Sequence, residues 1–401
     1  MVRHNLRAYL RHQAKTVRPS FWMPEQMLYE IFSWLPPESL FRFKCVCKSW
    51  YSFITSLIKN PFFVAKHLSN AQNKVFSPES LLIVGHHVVL PGQRINHNIF
   101  LLNVSDDDGE KDEIHPVIEE LDLRSPWGRG NMRDDKFRRM MGSDLCKTEF
   151  YHCDGIICLM ARDKIMLWNP ALVDSKILPP ANNVFNWKMV EATGFGYDPI
   201  ASDYKIVRIC IHDLIEMYSL NTNTWNETKK GPDKVNMLEY KMELCHKGVC
   251  YWFFNGCRKN MVRSVNLHSG QSQIIPLPAR KSCSRTLQVW NDSIAFVSFH
   301  RRKGTTGSIE MWVTKNYSGA ISDSSLWIKY LSIVNPEGIR RPLRILNGDE
   351  LLLKGEDENF FFYNLHTRRL RKLIINEVGS IIFWGSSYVA SLVSVNRQGQ
   401  A

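Results

Sequence analysis

The 401-residue chain has no run of about 18 apolar residues, the length a helix needs to cross a bilayer. No membrane span is therefore expected, and the expected compartment is the cytoplasm, with the nucleus second. Cysteine is scarce, with ten residues, at 45, 47, 146, 153, 158, 210, 245, 250, 257 and 283. Disulfide-dense secreted scaffolds carry a far larger share. No C-x-x-C pair occurs, and Cys153/Cys158 and Cys245/Cys250 are spaced too widely for a zinc knuckle. Most of these cysteines sit in apolar runs such as GIICLM and GVCYWFF and read as buried, reduced thiols. Without a signal peptide, the N-x-S/T matches at Asn103, Asn226, Asn291 and Asn316 read as chance.

Catalytic signatures are missing as well. There is no phosphate-binding G-x-x-x-x-G-K-[ST] loop, no G-x-G-x-x-G, no G-x-S-x-G elbow and no H-E-x-x-H. Gly304-Thr305-Thr306-Gly307 reads as a turn between strands. His86-His87 lie in a strand-like segment, and His152 with Cys153 and Cys158 lacks the spacing of a four-ligand site. No catalytic residue, cofactor or metal is expected, which points away from an enzyme.

What is present is the composition of a folded chain, 44% hydrophobic and 11% aromatic, with length for two or three domains. The formal net charge is +12. Residues 1–70 carry ten of the bases and only three acids, so more than half the excess lies there. Residues 1–19 hold Arg3, Arg7, Arg11, Lys15 and Arg18 on one helical face with no acid. This segment reads as a solvated, disordered basic extension; its serine content is too low for a transit peptide.

Residues 20–70 read as helices. Leu28, Ile31, Phe32 and Leu35 form one apolar stripe, and Pro36-Pro37 ends that helix. Leu40, Phe43, Cys47 and Trp50 repeat the helical spacing, and Asn60-Pro61 starts a further helix. Fifty residues bury too little to stand alone. The run from Met23-Pro24-Glu25 through Leu28, Ile31, Leu35-Pro36, Leu40, Phe43 and RFKCVCKSW resembles an F-box. Met23 stands where Leu is common and Gln26 where Asp is common. The resemblance implies docking on a Skp-type adaptor and, through it, on a cullin scaffold. It assigns Pro24, Leu28, Ile31, Leu35, Pro36, Leu40, Phe43, Val46 and Trp50 to docking or to the module core.

From residue 80 the pattern changes to short apolar runs broken by Asn, Asp, Gly and Pro, which are strand signals. Trp168-Asn169-Pro170, Tyr218-Ser219-Leu220, Val265-Asn266-Leu267, Trp312-Val313-Thr314 and Tyr363-Asn364-Leu365 recur at steps of 50, 47, 47 and 51 residues. An earlier strand precedes each of them: GIICLM, YKIVRI, GVCYWFF, SIAFVSF and ELLLKG. This period predicts propeller blades over 80–395; a pair of sandwich sheets is the competing fold. Five units are clear. A sixth is expected over 81–123 around Phe100-Leu101-Leu102, with a charged insertion near 105–140 and closing strands over 381–395. The expected fold class is α+β and multidomain, a small all-α module followed by an all-β propeller of about six blades.

This region resembles the kelch-like F-box-associated domain of plants. The matching residues include Tyr151-His152-Cys153-Asp154-Gly155-Ile156, Leu167-Trp168-Asn169-Pro170, Gly194-Phe195-Gly196-Tyr197-Asp198 and Ile309-Glu310-Met311-Trp312-Val313. In texture it is similar to the S-locus F-box family of pollen, whose members recognise pistil ribonucleases. The resemblance implies a non-catalytic substrate receptor of a ubiquitin ligase, with a protein target, in the narrowest reading a ribonuclease. A basic propeller binding nucleic acid, or a scaffold outside ubiquitin chemistry, is the alternative. Residues 105–122 hold nine acids, from Asp106 to Asp122, and one base. Residues 123–139 hold six bases, and further basic clusters lie at Arg301-Arg302-Lys303, Arg340-Arg341 and Arg368-Arg369. These runs read first as a self-neutralising exposed insertion and solvated turns, and second as loops that touch a target.

Overall fold

The computed structural model describes residues 23–73, 79–87, 96–104, 112–121, 149–161, 164–181, 190–210, 214–228, 240–255, 260–278, 284–300, 307–315, 326–346, 350–375 and 385–396. The basic extension 1–19 and the cluster Arg301-Arg302-Lys303 lie outside these residues, as does most of the charged insertion. The chain divides into two compact units. The first joins Met1–Val75 to Val389–Val393; the second holds Phe76–Tyr388 and Ser394–Ala401.

Among the described residues the first unit has four helices: α1 (Glu25–Trp34), α2 (Pro37–Phe43), α3 (Lys48–Lys59) and α4 (Pro61–Gln72). Leu35 ends α1 in extended backbone, φ −79° and ψ 145°, because the proline ring that follows disfavours helix there. Asn60 caps α4; its Oδ1 accepts from the Phe62 amide at 2.9 Å, and Pro61 occupies the first turn, where no amide is missed. Phe32 is the centre of the core. Its ring meets Phe43 at 6.1 Å, Trp50 at 5.3 Å and Phe53 at 6.1 Å. Three polar links fasten α4 to α1: Lys66 to Glu30, Asn70 Nδ2 to the Ser33 hydroxyl at 2.8 Å, and His67 Nε2 with the Leu35 carbonyl at 2.8 Å.

The second unit is all β. It opens with β1 (Glu79–His87), β2 (Asn96–Val104), β3 (Glu113–Ile114) and β4 (Val117–Leu121). Next come β5 (Glu149–Cys153), β6 (Ile156–Ala161), β7 (Lys164–Asn169) and β8 (Asp174–Ile177), a first contiguous sheet. A second contains β9 (Val190–Asp198), β10 (Asp203–Cys210), β11 (Ile215–Ser219) and β12 (Thr224–Thr228). The third is β13 (Tyr240–His246), β14 (Val249–Asn255), β15 (Asn260–Asn266) and β16 (Ser272–Pro276). The fourth is β17 (Ser284–Trp290), β18 (Ser293–His300), β19 (Ser308–Thr314) and β20 (Trp327–Val334). The fifth is β21 (Ile339–Leu346), β22 (Glu350–Gly355), β23 (Phe360–Asn364) and β24 (Leu370–Leu373), after which β25 (Gly385–Ser387) ends the series.

Each contiguous run of strands is a four-stranded antiparallel meander, the fifth extended on its β24 edge by β3, and first strands neighbour first strands: β5 with β9, β9 with β13, β13 with β17, β17 with β21. This is the blade arrangement of a propeller, not a sandwich. The contiguous blades number five, not about six. A further sheet is shared by both ends of this region, in the order β25-β1-β2-β4, with Phe100–Leu102 on its third strand. Each sheet buries both faces. Trp290, Val297, Phe299, Ile309 and Met311 of the fourth sheet pack on Ile345, Leu351, Leu353 and Tyr363 of the fifth. That is why the second strands read as unbroken apolar runs.

Two expectations need correction. The run 381–395 does not supply two closing strands; among its described residues only Gly385–Ser387 is paired, with Leu81–Ile83 of β1. Tyr388–Val395 is not strand; Val389–Val393 groups with the helices, and Ser391, Leu392 and Val393 are buried. The acidic insertion is also partly structural. Residues 113–114 form β3, which pairs parallel with β24, and 117–121 form β4, which pairs with β2.

Candidate docking surfaces

The helical unit presents apolar side chains on two sides of α1. Leu28, Tyr29 and Phe32 are buried. Met27, Ile31 and Trp34, at i, i+4 and i+7, form a second stripe that stays 53%, 43% and 51% exposed. Val46, in the turn before α3, is 63% exposed, and Tyr51 and Phe62 are exposed too. The nine residues assigned from the F-box resemblance therefore separate. Leu28 and Leu40 are core, Leu35, Phe43 and Trp50 are half-buried, and Pro24, Ile31, Pro36 and Val46 face outward. Met27 and Trp34 were missed, though their spacing with Ile31 was visible in the sequence. Phe32, the most enclosed ring of α1, was read only as part of the stripe.

In the propeller four of the five repeated triplets turn out to be turn anchors. Asn169 Oδ1 accepts from the Ala171 amide at 3.0 Å. Asn266 Oδ1 accepts from His268 and Ser269 at 2.8 and 3.0 Å, and Asn364 Oδ1 from His366 and Thr367 at 3.0 and 2.8 Å. Ser219 Oγ accepts from Thr222 at 3.2 Å. Each closes the turn between third and fourth strands with a side-chain acceptor. The hairpins between first and second strands lie at the same end of the sheets. Asp154-Gly155, Lys247-Gly248 and Asn291-Asp292 all have positive φ there, as two-residue hairpin turns require.

A cleft of about 610 Å³ opens at this end between the third and fourth sheets. Its walls carry side-chain amides (Asn266, Gln271, Gln273, Asn291) and hydroxyls (Ser264, Ser293, Thr314), with Val249, Tyr251 and Ile294 as apolar surface. At the rim Lys247 pairs with Asp292, whose backbone carbonyl also lies 3.2 Å from His246 Nε2.

The ionisable groups inside the propeller are arranged for structure. His152 accepts from the Gly155 amide at 3.1 Å and packs on the Tyr388 ring. Burial first, and then the Arg344 charge, lower its pKa to about 3, so it stays neutral. Burial pushes the Cys153 and Cys158 thiols well up, and the neighbouring Cys250 thiol followed by burial does the same to Cys245. Thiols held in this way are poor nucleophiles. Among the described residues no group of His, Cys, Asp and Glu is placed to hold a metal ion. No described helix is long and apolar enough to cross a membrane.

Three described residues of the basic turns are paired within the chain. Arg369 Nη2 binds Asp112 at 3.0 Å, joining a basic turn to the acidic run; Arg371 binds Glu350 at 2.5 Å and Arg340 binds Glu358.

Residues 131–395 match the F-box associated beta propeller domain, and residues 21–62 match the F-box domain. The chain belongs to the F-box associated beta propeller family. An F-box/kelch-repeat protein of Arabidopsis thaliana is 24% identical over 394 residues, 93% of this chain and 96% of that one. The F-box/WD-40 repeat-containing protein 1 of the same plant is 24% identical over 337 residues, 79% of this chain and 70% of that one. Another Arabidopsis F-box protein is 23% identical over 274 residues, 64% of this chain and 66% of the relative. Among solved structures, TolB from Acinetobacter baumannii aligns over 80% of this chain and 71% of its own at 10% identity, with a TM-score of 0.44.

Proposed function

We propose that this F-box protein is a non-catalytic substrate receptor of a Skp–cullin–F-box ubiquitin ligase. The F-box unit binds a Skp-type adaptor, and the propeller holds a protein target for ubiquitination. The observation that carries this reading is the uncovered apolar stripe Met27, Ile31 and Trp34, with Val46 beyond it, on a unit that matches the F-box domain. A small helical unit gains by burying such a stripe on a partner, as helix faces do in grooves.

The test is co-purification of the full chain with a Skp-type adaptor. Ile31→Asp with Trp34→Asp should abolish it while leaving the protein folded; retained binding would sink the reading. The narrower reading, a receptor for pistil ribonucleases in self-incompatibility, rests on the sequence resemblance alone. Expression confined to pollen and capture of a pistil ribonuclease would support it, and broad expression in leaf and root would overturn it.

A further inference from the structure

We infer that Cys245 and Cys250 form a reversible redox pair, two thiols that a peroxide joins into a disulfide across the β13–β14 hairpin. This goes beyond the substrate-receptor reading and does not depend on it. Both cysteines are free in the structure. They stand at i and i+5, a spacing too wide for a zinc knuckle. It is the spacing of the second residue pair above a two-residue turn. The strands are paired in that register, with Cys245 opposite Cys250 and His246 opposite Val249.

The turn decides what kind of pair this is. Lys247 and Gly248 both have positive φ, 48° and 75°, as a type I′ turn requires. In such a hairpin the flanking residues, His246 and Val249, exchange ladder hydrogen bonds, and the next pair, Cys245 and Cys250, does not. Opposite residues of a non-hydrogen-bonded pair lie about 4.5 Å apart between Cα atoms, with their side chains close together. A disulfide accepts Cα separations of roughly 4.4–6.8 Å, so the bond can close without moving the strands. The thiols already meet, Cys250 in hydrogen-bonding contact with Cys245. Cys153 of β5 is linked to Cys245 only through charge. A Cβ at Gly196 would collide with the Cys245 sulfur, so glycine there leaves the sulfur its space. Cys245 is half-buried and Cys250 fully buried, so a small oxidant meets Cys245 first. The Cys245 thiolate attacks one oxygen of hydrogen peroxide. The O–O bond breaks, a sulfenic acid forms, and the hydroxide released takes up the proton the thiol gave. The Cys250 sulfur then attacks the Cys245 sulfur; the S–S bond forms, the S–O bond breaks, and a second water leaves with the Cys250 proton. Two thiols are oxidised and one peroxide is reduced to two waters. The bond ties the strands directly beside the turn whose Lys247 pairs with Asp292 of the neighbouring sheet.

The test treats the full chain with hydrogen peroxide and maps its peptides by mass spectrometry without reduction. Lys247 lies between the two cysteines, so trypsin separates them in the reduced chain and leaves two linked peptides in the oxidised one. The expected result is a Cys245–Cys250 link that dithiothreitol reverses. The Cys250 thiol and burial raise the Cys245 pKa, so linking should be slow at pH 7 and about ten-fold faster for each pH unit above it. Amide exchange over residues 244–251 should slow by about ten-fold in the oxidised chain. In Cys250→Ala, Cys245 should stop at the sulfenic acid, trapped by a 1,3-dione, with no link to Cys153. The inference is overturned if Cys245 and Cys250 can still be alkylated once the exposed Cys45 and Cys47 have reacted fully with peroxide. It is overturned equally if Cys245 pairs with Cys153, if the rate of linking is the same at pH 7 and pH 9, or if oxidation leaves exchange over the hairpin unchanged.

Discussion

Asp198 shows how much of the propeller depends on single polar side chains. Its side chain is 1% exposed and meets Lys205 Nζ at 2.7 Å, His268 Nδ1 at 3.2 Å and the amides of Ile200 and Ala201 at 3.0 and 3.2 Å. Lys205 Nζ also donates to the Leu267 carbonyl at 2.9 Å, so the cluster ties the second sheet to the third. Burial pushes the carboxyl up, but the bonds from Lys205 and the two amides outweigh it and hold it below the usual carboxylate range. A folded-state pKa below the unfolded one adds stability above the unfolded value, about pH 4, and that stability is lost as pH falls through the lower, folded value. Asp198→Asn should therefore lower stability near neutral pH by about 1–3 kcal/mol, and Asp198→Ala by about 3–5 kcal/mol, because Lys205 is left without its charge partner. Urea titrations across the acid range would show it: the variants should lose less stability than the parent on acidification, and parallel curves would refute the assignment. The stretch Gly194–Asp198 was legible as a family signature, but its partners were not. Lys205 is near in sequence, whereas Leu267 and His268 are brought in only by the packing of one blade on the next. Three of the triplets were legible for a more local reason, since an Asn that closes its own turn, as Asn169, Asn266 and Asn364 do, needs nothing from elsewhere in the chain.

On the scale of a single element, α1 carries two apolar faces with different fates. Leu28, Tyr29 and Phe32 face the aromatic core, while Met27, Ile31 and Trp34 remain uncovered. Periodicity found the buried stripe but placed Ile31 on it, because i, i+3 and i+4 spacing spans an arc wide enough to reach both faces. Substitutions should separate the two. Phe32→Ala removes a ring that is 1% exposed and touches Phe43, Trp50 and Phe53, and should cost about 3–5 kcal/mol. Ile31→Glu sits in water and should change stability by no more than about 0.5 kcal/mol, yet abolish adaptor capture. Chemical denaturation followed by helix circular dichroism, run beside adaptor pull-down, reads both effects. A folded Ile31→Glu protein that still binds adaptor would place the docking face elsewhere on the unit. The strands show the same limit. Second and third strands were visible as apolar runs and triplets. Fourth strands such as β8 and β12 are short and polar, and the first strands β5 and β13 carry mixed patterns, so neither announces itself.

For the whole molecule, the C-terminal residues serve both units. β25 pairs with β1 in the composite sheet. The Ser394 hydroxyl donates to Asp174 at 2.6 Å, the Val395 amide donates to the same carboxylate at 3.0 Å, and Asn396 Nδ2 donates to Asp174 and to the Ser175 carbonyl at 3.1 Å. These bonds fasten the chain end to β8 of the first contiguous sheet. Between β25 and this clasp, Val389–Val393 belongs to the helical unit. Its sequence, VASLV, reads as a strand because a short apolar run cannot tell burial among helices from burial in a sheet. The route predicts different effects for two changes. Asp174→Ala breaks only the clasp and should lower propeller stability by about 1–3 kcal/mol, with amide exchange in α1 and α4 unchanged. Removing residues 389–401 takes away the clasp together with Leu392 and Val393, each 1% exposed, and should also speed exchange in the helices and weaken adaptor capture. Hydrogen exchange read by mass spectrometry distinguishes the two outcomes. If the truncated chain protects α1 and α4 as well as the full chain does, the helical unit folds without its C-terminal segment. If protection falls in the helices while Asp174→Ala leaves it intact, adaptor capture and the clasp on the first sheet depend on the same stretch of chain, and damage there would disable both together.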